Sequence, residues 1–347
     1  MTLESAFRDQ STSCANLGSP FMARLLTLLA DHWPSETKLA AKCDTFEGDI
    51  GPVGHSLPLR IAGGLHALRL NGDSALDAVY PPHTPSDATF KEGILDALIA
   101  HDIFLTEWID SAPQTNELRR SAALIPAAMI VAQRFELPFW VSELGASGGL
   151  NLMWDQFALE AEDWRVGNTD PAVTLRPEWT GPAPIGGRPV VSGRRGVDLN
   201  PLDPTHPDDL LRLTAYLWAD QPYRLDMTRA AAGAVAAPVD KADAVDWLES
   251  RLAAAPKGHA HLIQNTVAWQ YFPPQQQARG RKMIEDVGAK ASTDAPLAWL
   301  QLENDGDRDG LGGGAITLQM WPGGDILHLG RADFHGRWVK WIGEPSN

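Results

Sequence analysis

The sequence predicts an α/β protein in which a mostly parallel, Rossmann-like sheet with a terminal antiparallel hairpin follows an N-terminal helical region. Residues 1–138 carry apolar positions at helical spacing and lack the alternation that is typical of strands. From Phe139 onward, short β-prone runs alternate with helical patterns, which is typical of βαβ units. The predicted domains are therefore a helical cap region over 1–138 and a sheet domain over 139–347.

The helical region contains four segments with an apolar face. Ser19-Pro20 combines a capping residue with a proline that suits the first helical turn. Helices are predicted from 20, over about 57 to 70, over 89 to 109 and over 115 to 135. In the last of these, Asn116, Glu117 and Arg120 lie one turn apart. That helix either reaches over the carboxyl edge of the sheet or carries an ordinary surface network.

The second half alternates between strand and helix signals. A helical pattern over 150–157 follows the first strand, and residues 161–192, rich in Pro, Gly, Thr and Val, predict an inserted β-rich excursion. Further helices are predicted over 208–237, from 244 to about 252 and over 274–287. Strands are predicted at 139–142, 196–201, 238–240, 261–267, 297–302, 315–321 and 326–338.

Charge and composition exclude several classes of function. Lys and Arg number 29 and Asp and Glu 44, which gives a formal net charge of −15. This balance argues against nucleic acids and anionic membrane surfaces as partners. The longest apolar run, Ala122–Ala132, is too short to span a bilayer. With only Cys14 and Cys43, no disulfide framework is expected, and the simplest interpretation is a cytoplasmic protein.

The strongest local motif is Glu143-x-Gly145-x-Ser147-x-Gly149, which lies between a predicted strand and a helical pattern. Glycines let the backbone approach a ligand, and a helix N-terminus offers free N–H groups. The same spacing fits a nucleotide-like cofactor loop, the G-x-S-x-G nucleophile elbow of hydrolases, or a purely structural turn. The elbow also needs an oxyanion loop, for which Gly63-Gly64 is the nearest candidate, and a base such as His328 or His335.

Two aspartates follow later strands. Asp198 ends the second predicted strand of the parallel sheet, in the segment Gly196-Val197-Asp198-Leu199-Asn200-Pro201. At this position an acid can accept hydrogen bonds from the ribose hydroxyls of an adenosine cofactor. Asp243 precedes a helix, where it either contacts an adenine or caps that helix.

These segments resemble a class I S-adenosylmethionine-dependent methyltransferase over about 139–341. Glu143 to Gly149 looks like the family's first motif, with Ser147 in place of the middle glycine, and Asp243-Ala244 falls where the family has Gly-Asp-Ala. The whole chain resembles a bacterial family of unknown function, domain-of-unknown-function family 2332. The segments that carry this second resemblance are 114–117, 143–151, 195–203 and 334–339.

The methyltransferase resemblance implies an S-adenosylmethionine site at the carboxyl edge of the sheet. Asp198 would hold the ribose hydroxyls, and Asp243 would meet the adenine. His335 is a remote candidate base. The methionine part and ribose would meet the glycine loop, Glu143, Gly145, Ala146, Ser147 and Gly149. The acceptor side would be lined by Asn265, Trp269 and Tyr271.

The expected function is therefore methyl transfer to an unknown small-molecule or protein acceptor. A serine hydrolase using Ser147 and a non-catalytic Rossmann-like protein remain alternatives. No metal site is expected: Asp305-x-Asp307-x-Asp309-Gly310 starts like a calcium loop, but the twelfth position is Ile316 instead of glutamate. The sequence leaves the oligomeric state open.

Overall fold

The computed structural model describes residues 1–52, 54–234, 237–307 and 310–343. The chain divides into two compact units, and each consists of two segments. The helical unit comprises Met1–Thr115 and His206–Met227, and the sheet unit comprises Asn116–Thr205 and Thr228–Asn347. The sequence places the boundary at 138, whereas in the structure the segment 116–138 packs with the sheet.

The helical unit buries a continuous apolar core. The second helix begins after Ser19, whose Oγ accepts a hydrogen bond from Met22 N at 3.2 Å. The predicted helix over 89–109 is two helices, because His101 leaves the helical conformation between them (φ −109°, ψ 24°). The helices are α1 (Leu3–Asn16), α2 (Pro20–His32), α3 (Lys38–Cys43), α4 (Leu57–Leu70), α5 (Ser74–Val79), α6 (Asp87–Ala100), α7 (Asp102–Trp108) and α9 (Pro207–Ala215), while α10 (Pro222–Ala234) covers the division at 227.

The sheet unit is built on nine strands: β1 (Phe139–Leu144), β5 (Glu178–Thr180), β6 (Val191–Asp198), β7 (Val239–Lys241), β8 (Ala260–Thr266), β9 (Leu297–Glu303), β10 (Gly314–Trp321), β11 (Asp325–Ala332) and β12 (Trp338–Trp341). They lie in the order β5-β12-β11-β10-β9-β8-β1-β6-β7. Five neighbouring strands, β1, β6, β7, β8 and β9, pair in parallel with one another, and β5 also runs parallel to β12. The remaining helices are α8 (Ser121–Phe135), α11 (Ala244–Ala253) and α12 (Pro274–Gly288).

The parallel strands have the order of a doubly wound sheet. Numbered along the chain they lie as 3-2-1-4-5, and the order reverses between β1 and β8. In open α/β sheets, ligands bind outside the carboxyl ends of the strands at this switch point. A ligand site is therefore expected at the loops that follow β1 and β8.

The inserted excursion forms a small sheet of its own. β2 (Phe157–Ala161) pairs with β3 (Trp164–Gly167) and β4 (Val173–Leu175), and β5 then joins the edge of the large sheet beside β12. The segment Leu150–Gln156, which carries a helical pattern, is a 3₁₀ helix. Arg194 Nη1 donates to the Leu152 carbonyl at 2.7 Å, so this carbonyl is paired outside an α-helical ladder.

The last predicted strand is interrupted. A turn over 333–337 separates β11 from β12, because the Asp333 carboxylate accepts hydrogen bonds from the backbone N–H groups of His335 (3.0 Å) and Arg337 (3.2 Å). In the described part of the chain, no helix has the length and apolar character needed to cross a membrane.

Candidate functional site at the carboxyl edge of the sheet

The glycine loop after β1 is held tightly against its neighbours. Gly145 N and Ala146 N both donate to the Val197 carbonyl at 2.9 Å. Gly145 has φ +71°, and a Cβ there would lie 2.5 Å from the Ala268 Cβ. Gly149, at φ +72°, has Val239 Cγ2 3.0 Å from the place of its missing Cβ. Both glycines are thus required by backbone conformation and by close packing.

Asp198 binds directly to this loop. Its Oδ2 accepts a hydrogen bond from Ser147 N at 2.9 Å, and its Oδ1 accepts one from Asn200 N at 2.9 Å. Ser147 has φ +51°, an uncommon conformation for a residue other than glycine. The inserted excursion lies between the glycine loop and Asp198 in the sequence and accounts for the long gap between them. The fold nevertheless brings these two motifs into contact.

Glu143 places a buried carboxyl group beneath the loop. Its side chain is 1% exposed, and its Oε2 has no hydrogen-bond partner among the described residues. Burial raises the pKa of Glu143 to about 8, while a hydrogen bond from Gln264 and the positive charge of Arg120 oppose the rise. Ser147 Oγ is likewise buried without a partner in the described chain. Glu143 Oε2 and Ser147 Oγ are therefore two buried oxygens that the described residues leave without a partner.

The segment before α8 reaches across the carboxyl edge, which is one of the two interpretations that the sequence left open. Asn116 Oδ1 accepts from Leu150 N at 2.8 Å, just after the glycine loop. Arg120 Nη1 donates to the Thr266 carbonyl, at the end of β8, at 3.1 Å, and Arg120 Nε donates to the Phe334 carbonyl at 2.8 Å. This segment links the ends of β1 and β8 to the turn over 333–337.

Glu303 is a second carboxylate that the sequence analysis missed. Its Oε1 accepts hydrogen bonds from Asn265 Nδ2 (2.8 Å), Ala268 N (2.9 Å) and Trp269 N (3.0 Å). Its Oε2 is buried and has no partner among the described residues, and burial raises its pKa. The available signal was its position: an acid that ends a buried parallel strand lies at the edge where ligands bind.

The residues predicted for the acceptor side are not all placed together. Asn265 is fully buried, and its Oδ1 accepts from Trp299 Nε1 at 2.8 Å. The Trp269 ring is 5% exposed and packs on Trp299, with ring centroids 5.1 Å apart. Tyr271 is 71% exposed, and His335 lies in the turn over 333–337. Asn265 and Trp269 thus support Glu303, while Tyr271 points outward.

Asp243 is the N-cap of α11. Its Oδ1 accepts hydrogen bonds from Val245 N at 2.9 Å and Asp246 N at 3.1 Å, which is the capping arrangement that the sequence offered as an alternative.

Within the described ranges, no group of three His, Cys, Asp or Glu side chains is arranged to hold a metal ion. Asp309 of the calcium-like motif lies outside those ranges.

Fold and site together define a mixed α/β protein with a large, mostly parallel sheet, an N-terminal helical region and polar groups gathered at the carboxyl edge. The chain belongs to the family described as "Uncharacterized protein conserved in bacteria (DUF2332)", whose model matches residues 4–341. The resemblance of the whole chain to this family is thereby confirmed. Comparison with curated proteins and with solved structures found no match.

Proposed function

We propose that the protein binds S-adenosylmethionine at the carboxyl edge of β1 and β6 and transfers its methyl group to a small-molecule or protein acceptor. The observation that carries the proposal is the 2.9 Å hydrogen bond from Ser147 N to Asp198 Oδ2. It joins the glycine loop to the acid of the second parallel strand, beside the switch point of a 3-2-1-4-5 sheet.

The unsatisfied oxygens at this edge suit such a cofactor. S-adenosylmethionine carries an ammonium group and ribose hydroxyls, all of which donate hydrogen bonds. Glu143 Oε2 and Ser147 Oγ are buried acceptors that have no partner among the described residues. A cation beside Glu143 would favour its charged form and so offset the burial that raises its pKa.

The adenine end is assigned differently from the sequence-based expectation. Asp243 Oδ1 is engaged in capping α11, so the backbone near Asp243 is the better candidate for adenine contacts. Asp198 accepts hydrogen bonds from Ser147 N and Asn200 N at 2.9 Å each, so its carboxylate lies beside the glycine loop, where the ribose would bind.

When bound, S-adenosylmethionine supplies a methyl group on a sulfonium for in-line displacement. The chain's own contribution is then to orient donor and acceptor. Glu303 is fixed by three donors on Oε1, and its Oε2 is left to accept a hydrogen bond or proton from the acceptor's nucleophile. Asn265 and the Trp269 backbone act as positioning groups for Glu303.

Calorimetric titration of the full chain tests the proposal. We expect a dissociation constant in the micromolar range for S-adenosylmethionine and S-adenosylhomocysteine, about −8 kcal/mol, and no binding of NADH. Asp198→Asn should weaken cofactor binding by about tenfold or more. The control Asp163→Asn changes an exposed turn residue between β2 and β3 and should leave binding unchanged. Absence of heat at several temperatures would overturn the proposal and leave the non-catalytic alternative.

The geometry does not favour the hydrolase alternative. A serine nucleophile needs a base within hydrogen-bond reach. Ser147 Oγ meets no such partner in the described part of the chain. Labelling of Ser147 by a fluorophosphonate probe would reverse this preference.

A further inference from the structure

The helical unit contains a second concentration of polar groups, formed by α4, α7 and α9. Tyr216 and Trp108 lie against the backbone of α4 because Gly63 and Gly64 carry no side chain. A Cβ on Gly63 would come within 2.5 Å of the Tyr216 ring, and a Cβ on Gly64 within 3.0 Å of Trp108 Cδ1. The Gly63-Gly64 pair therefore makes room for two aromatic residues.

Three hydrogen-bond donors meet at this place. The Arg212 guanidinium stacks over the Trp108 ring, with Cζ 4.4 Å from the centroid. Both Trp108 and Arg212 approach the Tyr216 hydroxyl closely enough to oppose the rise in its pKa that burial causes. Yet Trp108 Nε1, Arg212 Nη1 and the Tyr216 hydroxyl are all buried and lack a well-formed hydrogen bond within the described residues.

The charge around these donors is positive. Arg60, whose charge acts on Tyr216, donates to the carbonyls of His55 (2.7 Å) and Ile109 (2.7 Å) rather than to a carboxylate. The nearby Asp110 carboxylate pairs with Lys42 at 2.6 Å. Over the described ranges, Arg212 forms no ion pair.

We propose that Trp108, Arg212 and Tyr216 form a binding site for a small oxyanion of the carboxylate or phosphate class. Three donors with adjacent positive charge call for an acceptor with several lone pairs and a negative charge. The Tyr216 oxygen can itself accept from one of the other two donors, and the positive charges of Arg212 and Arg60 then favour an anion over water. Arg212 and Tyr216 are each only partly buried as residues, whereas Trp108 is 5% exposed.

Titration followed by ¹H–¹⁵N spectra of the full chain tests this site. The Trp108 indole resonance is assigned from its loss in Trp108→Phe, and the probes are inorganic phosphate and succinate at fixed pH and ionic strength. We expect a saturable shift of the Trp108 resonance with at least one probe, and the two arms show which oxyanion fits.

Two variants and a control make the result specific. Arg212→Gln should weaken the saturable response by about tenfold or more, and Tyr216→Phe, which removes only the hydroxyl, should weaken it less. Arg24→Gln is the matched control: Arg24 also stacks on a ring, that of Phe90 at 4.2 Å, but it already pairs with Asp87 at 2.7 Å. An unchanged Trp108 resonance, or an equal loss in Arg24→Gln, would overturn the site and assign water to the three donors.

Discussion

Burial of the Glu143 carboxyl group makes the stability of the folded chain depend on pH. Its pKa in the folded chain is about 8 against an ordinary value of 4.5, so the folded state binds the proton more tightly than the unfolded state. The stability contributed by protonation is therefore complete below the ordinary pKa and is lost as pH rises toward the folded pKa.

The expected result is a fall in the free energy of unfolding between about pH 5 and about pH 8, by a few kcal/mol on the scale of about 1.4 kcal/mol per pKa unit. Glu143→Gln should flatten this profile in urea denaturation. Glu285→Gln, at an exposed position of α12, should keep the wild-type slope. Parallel profiles for wild type and Glu143→Gln would contradict the assignment.

Gly145 is a position where conformation and packing act together. Gly145→Ala meets the strain of φ +71° and also a Cβ contact of 2.5 Å with Ala268. Gly18→Ala meets a similar φ of +88° with nothing within 4 Å. We expect Gly18→Ala to cost about 1 kcal/mol and Gly145→Ala about 1–3 kcal/mol more, because overpacking adds to strain. Denaturation of both variants measures the difference; equal losses would mean that the loop moves away freely.

At the scale of elements, variants of Asp243 distinguish a helix-capping role from a ligand-binding role. Asp243→Ala removes the acceptor for two N–H groups of α11 and should lower stability by about 0.5–2 kcal/mol. Asp243→Ser keeps a capping oxygen and should recover most of this loss. Asp246→Ala is the control, since Asp246 lies in the same turn with its side chain 64% exposed. Failure of serine to restore stability would show that capping is not the main role of Asp243.

The elements that local pattern determines were predicted well. The helix over 57–70 is confirmed as α4, and the strand from Phe139 is confirmed as β1. Errors arose where a hydrogen bond between a side chain and the backbone decides the local conformation. The strand predicted over 326–338 is interrupted because the Asp333 carboxylate accepts hydrogen bonds from two N–H groups of its own turn. The segment 150–156 is a 3₁₀ helix, and Arg194 donates to the Leu152 carbonyl within it.

The candidate site contains residues that the sequence predicts and contacts that it does not. The glycine loop and Asp198 entered the candidate site from sequence alone because their residue types and their position after a strand are informative. The sequence did not show that Ser147 N would bind Asp198, nor that Asn265 would turn toward Glu303 instead of an acceptor. Those contacts depend on the register between β1, β6, β8 and β9, which no local pattern specifies.

At the scale of the whole molecule, the helical unit is discontinuous in sequence. The second segment supplies part of its core: Ala215 is buried in the apolar cluster, and Leu211 and Trp218 pack against it. Asp220 accepts hydrogen bonds from Ser19 Oγ at 2.7 Å and Phe21 N at 3.0 Å at the start of α2. A boundary drawn at 138 therefore omits residues that the helical unit needs.

A fragment of residues 1–138 is accordingly expected to be poorly folded. Each large apolar side chain that loses its burial costs about 1.5–3 kcal/mol, and a domain is stable by only about 5–15 kcal/mol in total. Adding a peptide of residues 206–227 should restore helical circular dichroism and a cooperative thermal transition. The same peptide with Asp220→Ala should bind more weakly, since it lacks both hydrogen bonds to the start of α2. A cooperative transition in 1–138 alone, unchanged by either peptide, would show that the second segment is dispensable for this core.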